Sequence, residues 1–149
     1  MIIYKIGDAT NPLIEGNKII AHVCNDIGKW GRGFVATINN KWKEPEIQYR
    51  SMKNRKLGEV QFVKVENDII IANIIGQHLI IMNENENQSI SYDAMKEGLK
   101  KVNELAIELN ASIHSPKFVL SVSDWYIIEK IINETITVPI YIYSFKDVF

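Results

Sequence analysis

The sequence predicts an α/β sandwich, a single domain with a mixed sheet and helices packed on its faces. Three observations lead there. Strand-like and helix-like segments interleave along the whole chain. The nearly continuous apolar run from Lys18 to Cys24 has the composition of a strand covered on both faces. A length of 149 residues, 46% hydrophobic and 23% charged, fits one globular domain, with neither a Pro/Gly/Ser linker nor an internal repeat to divide it.

The elements follow in order. Ile2 to Ile6 is β-rich and ends at Gly7-Asp8. After the Lys18–Cys24 strand, Gly28 to Gly33 is a glycine-rich loop, and Phe34, Val35, Ile38 and Trp42 then recur at helical spacing. Pro45 opens a second short helix. Gln61 to Val65 and Ile69 to Ile75 read as a hairpin closed at Glu66-Asn67-Asp68. The polar run Asn83 to Gln88 reads as a surface loop. From Tyr92 to Leu109, the stripe Ala94, Met95, Leu99, Val102, Leu105, Ala106 and Leu109 marks a long amphipathic helix with Ser91 as its N-cap. Ser112 to Phe118 is strand-like, Trp125, Ile128, Ile131 and Ile132 mark a helix capped by Ser123, and Pro139 to Ser144 is a last strand. Ligands of such folds bind where loops leave the carboxyl ends of strands, here after Ile6, Cys24, Ile75 and Phe118.

Composition excludes several classes. Seventeen basic residues against eighteen acidic ones give a formal charge of −1, so direct nucleic-acid binding is not expected. The cluster Lys53, Arg55 and Lys56 reads as a solvated loop face. One cysteine, Cys24, excludes an intramolecular disulfide framework. The chain has neither a run long enough to span a bilayer nor a signal-peptide pattern, so a cytoplasmic protein without membrane contact is the expectation. His22, Cys24, His78 and His114 match no short metal motif, and neither a metal nor a cofactor is expected.

The loop after the second strand carries the most chemistry. Gly28, Gly31 and Gly33 let main-chain amides approach a ligand, and the following helix points its free N–H groups back at them. The loop is either a phosphate cradle or a tight strand-to-helix turn. Asn25 can hold a ribose hydroxyl or cap its own loop, and Asp8 can accept from an exocyclic amine or form a turn. Trp30 can stack on a ligand ring or shield the loop. For water activation the candidates are His22, Asp26, His78 and Asp124. His22 reads as a core histidine, and His78 as a titrating group in a loop beside the site.

These residues carry a resemblance. Gly7-Asp8-Ala9-Thr10 resembles the opening motif of macrodomains, and His22-Val23-Cys24-Asn25 with Trp30-Gly31-Arg32-Gly33-Phe34 resembles their ribose and first phosphate loop. Leu57-Gly58-Glu59-Val60 and Ile71-Ala72-Asn73-Ile74-Ile75-Gly76-Gln77 resemble the next two strands. The likeness runs through about two-thirds of the chain in order, and is nearest to the subgroup of ADP-ribose-1''-phosphate phosphatases and terminal ADP-ribose protein glycohydrolases. It implies a three-layer α/β/α sandwich that binds ADP-ribose or an ADP-ribosylated substrate, with hydrolysis of ADP-ribosyl or ADP-ribose-1''-phosphate bonds as the candidate activity. Asp8 and Ala9 would meet adenine, Gly31, Arg32, Gly33 and Phe34 the diphosphate, and Asn25 the distal ribose.

One segment departs from the family pattern. Related macrodomains carry a second glycine-rich loop after the late strand, whereas here Pro116 to Trp125 contains no glycine. Ser121 and Ser123 are the candidates to replace that half of the clamp, or else they cap the following helix. The subgroup's lysine after the middle strand is absent, which leaves His78 and Asp124 as the candidate catalytic pair. A macrodomain without catalysis, kept for protein interaction, is the alternative.

Overall fold

The computed structural model describes residues 1–82, 85–119 and 121–145. Its elements are β1 (Ile2–Ile6), β2 (Lys18–Asn25), α1 (Phe34–Lys41), α2 (Glu44–Ser51), β3 (Val60–Glu66), β4 (Ile69–Met82), β5 (Asn85–Ile90), α3 (Tyr92–Leu109), β6 (Ser112–Pro116), α4 (Val122–Thr135) and β7 (Ile140–Ser144). Among the described residues the sheet has seven strands in the order β1-β7-β6-β2-β4-β3, with β5 paired to β4. The steps from β1 to β4 are parallel, while β3 and β5 run antiparallel to β4. The mixed sheet is thus as expected.

Alternation along the central strands makes the layers. Ile19 and Ala21 of β2 and Ala72 and Ile74 of β4 face the core under α3 and α4. Ile20 and Cys24 of β2 and Ile71 and Ile75 of β4 face the core under α1 and α2. Both faces of β2 are therefore buried, which is why its sequence is an unbroken apolar run. Helix α3 sits close to the sheet because Gly98 leaves room: a Cβ there would lie 2.6 Å from Ile74 Cγ2. Ser91 caps α3 by accepting from the Ala94 N–H at 3.1 Å, and Asn110 ends it in the left-handed conformation. No helix among the described residues is long and apolar enough to cross a membrane.

Four local expectations change. Strand β4 does not stop at Ile75 but runs to Met82, so there is no loop after Ile75, and His78 lies within a strand. The expected polar loop is in part strand β5, antiparallel to that extension, while Asn83 and Glu84 lie outside the described residues. The main chain can pair whatever the side chains are, and a polar edge strand has the same composition as a loop. Strand β6 ends at Pro116, not Phe118. The cap of α4 is Ser121 rather than Ser123: its Oγ accepts from the Asp124 N–H at 3.0 Å.

Candidate functional site

A cleft of about 690 Å3, within the usual range for small-molecule sites, opens at the carboxyl end of the parallel strands. The loop after β2 forms one wall and Pro116, Lys117 and Phe118 after β6 form the other, with Gln77 of β4 and Arg50 of α2 between them. Lys29, Arg32, Arg50 and Lys117 line it, Arg50 paired with Glu46 at 2.7 Å, and among the described residues no carboxylate lines it. A concave wall of one sign concentrates the field on an anion.

The loop is held in shape before any ligand arrives. Asn25 Oδ1 accepts from the Ile27 and Lys29 N–H groups at 3.1 Å each and from the Tyr49 hydroxyl at 2.8 Å. Its Nδ2 donates to the Lys29 carbonyl. Tyr49 is fully buried and also donates to the Asn25 carbonyl at 2.7 Å; burial raises its hydroxyl pKa, keeping it a donor. Arg55 lies over the Tyr49 ring and donates to the Tyr49 and Arg50 carbonyls, so this part of the basic cluster is a brace rather than a solvated face. Gly28, Gly31 and Gly33 all have φ near +80°. A Cβ on Gly31 or Gly33 would meet nothing within 4 Å, so it is backbone conformation, not space, that demands glycine. Gly33 is the N-cap of α1 and offers no side chain to close the first turn. Its carbonyl accepts from the Ala36 N–H at 3.0 Å, so the amides of α1 left without an intrahelical acceptor are those of Phe34 and Val35.

His22 forms part of the cleft wall yet is 3% exposed. The Asn73 amide nitrogen donates to Gln61 Oε1 and the Pro45 carbonyl, which turns its oxygen to His22 Nε2 at 2.5 Å. Nε2 thus carries the proton. Burial lowers the pKa of this imidazole to about 4, against the partial help of Asn73. Cys24 lies beneath the same wall, and burial raises its thiol pKa, so it stays protonated.

Of the residues nominated from sequence, Asn25, Gly31, Arg32 and Phe34 meet at this cleft, with Gly33 between the last two. Asn25 contributes chiefly by bracing the loop, since its oxygen is committed three times over. Asp8 and Ala9 stand at the same end of the sheet but after β1, three strands away, or about 14 Å at the usual spacing. Asp8 Oδ1 accepts from the Thr10 N–H and hydroxyl at 2.8 and 2.7 Å, the bonds of a turn. Ser121 and Ser123 are 3.2 Å apart at the start of α4, outside the cleft wall. There Ser121 is a cap, and its hydroxyl donates to Asp124 Oδ2 at 3.1 Å.

The nominated catalytic pair is not brought together. His78 Nδ1 meets Asp26 Oδ2 at 2.6 Å, and Asp26 Oδ1 accepts from the Leu79 N–H at 3.0 Å. Burial would raise the Asp26 pKa, but these bonds outweigh it and lower it. Asp124 is held by Tyr92 and Ser121 in the first turn of α4. Neither His78 nor Asp124 lines the cleft. Tyr49, Arg50, Gln77, Lys117 and Phe118 were not nominated. Gln77 ends the strand motif that resembles the family, and Lys117 and Phe118 lie in the departing segment; Tyr49 and Arg50 reach the site from α2 through tertiary packing.

No family model matches the sequence. The structure is similar to a macrodomain protein from Streptomyces coelicolor, with a TM-score of 0.85 and 39% identity over 97% of this chain and 99% of that one. Among curated proteins, the mouse chromodomain-helicase-DNA-binding protein 1-like is 30% identical over 95% of this chain, which spans 17% of that relative's length. A Trypanosoma brucei macrodomain solved in complex with ADP-ribose shares the fold, with a TM-score of 0.64 and 13% identity over 98% of this chain and 64% of that one.

Proposed function

The chain belongs to the macrodomain family, and on that footing we propose that its cleft binds ADP-ribose, with the diphosphate seated against the glycine loop. The observation that carries this reading is the charge of the walls: four basic side chains, of which Arg50 is paired with Glu46, no carboxylate among the described residues that line the cleft, and the Phe34 and Val35 amides at the start of α1 on the same wall. A diphosphate would sit on the Gly31–Phe34 main chain with Arg32 beside it. The distal ribose would lie toward Asn25, whose second amide hydrogen is its remaining donor. Adenine would extend along the strand ends toward Asp8 and Ala9, where the turn bonds fall on Oδ1 and Oδ2 can accept from the exocyclic amine. The trypanosomal relative's complex with ADP-ribose supports the choice of ligand.

Binding is the reading favoured over turnover. Hydrolysis of an ADP-ribosyl or ADP-ribose-1''-phosphate bond needs a base that reaches the attacking water. His78 and Asp124 are committed elsewhere, and His22 on the cleft wall, its pKa lowered to about 4 by burial, is a weak base. Calorimetric titration with ADP-ribose tests the binding: saturable heat at one site is expected, and its absence rejects the proposal. Incubation with an ADP-ribosylated protein and with ADP-ribose-1''-phosphate should release neither ADP-ribose nor phosphate above background. Release would establish a hydrolase instead.

A further inference from the structure

Trp30 stands in the glycine loop, 7% exposed, and forms part of the cleft wall. Its Nε1–H is shut off from solvent and meets no acceptor. Among the described residues it is the one buried side-chain nitrogen or oxygen in that condition. The other two tryptophans contrast with it. Trp42 Nε1 donates to Glu66 Oε2 at 3.0 Å, and the Trp125 indole hydrogen-bonds the Tyr4 side chain.

No protein group among the described residues meets the Trp30 N–H in this arrangement. The His22 ring stands edge-on at 5.4 Å, and its Nε2 is bonded to Asn73. The Tyr49 ring is 5.6 Å away, and its hydroxyl is bonded to Asn25. A buried donor left unmade is costly, and such groups are ordinarily satisfied by water or a ligand. The space that Trp30 borders is the cationic cleft, so the oxygen that arrives there is anionic.

We infer that the Trp30 indole N–H is a ligand donor: as the cleft fills, the ring turns this hydrogen onto a phosphate oxygen of the bound nucleotide. The inference rests on the reading of the cleft as an ADP-ribose site. A neutral donor meeting a phosphate oxygen makes a charge-assisted bond, the stronger kind, which repays the cost of keeping the hydrogen buried and unmade in the free protein.

Nitrogen–proton correlation spectra of the full chain test it, because three indole resonances are expected and Trp30→Phe identifies one of them. On titration with ADP-ribose the Trp30 indole proton should move downfield with occupancy while those of Trp42 and Trp125 stay. ADP should produce the same shift and adenosine should not; an equal shift with adenosine overturns the phosphate assignment. Trp30→Phe should weaken ADP-ribose about tenfold. Shifts at the Gly31 and Gly33 amides with a stationary Trp30 indole would overturn the inference alone. A spectrum with no shifts anywhere would overturn the reading of the cleft and the inference with it.

Discussion

Gly33 and Asn25 show how single residues shape the cleft. Gly33 has φ 80° and ψ −127°, a region that side chains with a Cβ rarely enter. Gly33→Ala should cost about 1–3 kcal/mol of stability, measured by urea denaturation. Gly33→Glu adds an anion where the diphosphate would sit and should weaken ADP-ribose at least tenfold; an unchanged affinity would show that the loop does not hold the phosphates. Asn25→Ala strips the acceptor from the Ile27 and Lys29 amides, while the Tyr49 hydroxyl keeps the main-chain carbonyl of residue 25. It should lower stability by about 1–3 kcal/mol. The glycines were legible in the sequence because only glycine tolerates that backbone. The sequence leaves the role of Asn25 open between ribose and loop, since only the folded loop shows how many donors converge on its oxygen.

Helix α4 and strand β4 carry the departures from expectation. Without a second glycine loop, the wall after β6 is built from Pro116, Lys117 and Phe118, and α4 begins with a serine cap. Ser121→Ala should cost about 1 kcal/mol in denaturant and leave ADP-ribose affinity unchanged. A parallel loss of affinity would return Ser121 to the ligand site. The extension of β4 beyond Ile75 moved His78 from the expected loop into a strand beside Asp26. A run such as Gln77-His78-Leu79-Ile80-Ile81-Met82 pairs only if a partner strand is present, and β5, polar in composition, gave no apolar signal of its own.

Across the whole molecule, two buried imidazoles couple stability to pH. Burial lowers the pKa of both His22 and His114 from 6.5 to about 4, helped at His114 by the Lys18 and Lys5 charges. As pH falls through 6.5 the unfolded chain takes up protons that the folded chain refuses until about pH 4. The contribution is therefore present above about pH 6.5 and lost on acidification toward 4. Each histidine should remove about 2 kcal/mol between pH 7 and pH 5. Denaturation midpoints at the two pH values check this, and His114→Gln should abolish roughly half of the loss. A stability that is flat over that interval would show that one or both imidazoles are protonated in the fold.

The amino-acid sequence by itself determined the interleaved α/β plan, the hairpin of β3 and β4, the long amphipathic α3 with its Ser91 cap, and the glycine loop at the end of β2. Each rests on a short-range pattern, whether periodicity, capping or the backbone freedom of glycine, that is complete within a few residues. Tertiary structure alone decided which side chains share the cleft. Arg50 from α2, Gln77 from β4 and Lys117 from the segment after β6 are brought to the Gly31–Phe34 loop by strand order and by the way the helices cover the sheet. That choice belongs to the packing of distant segments, and no local pattern records it.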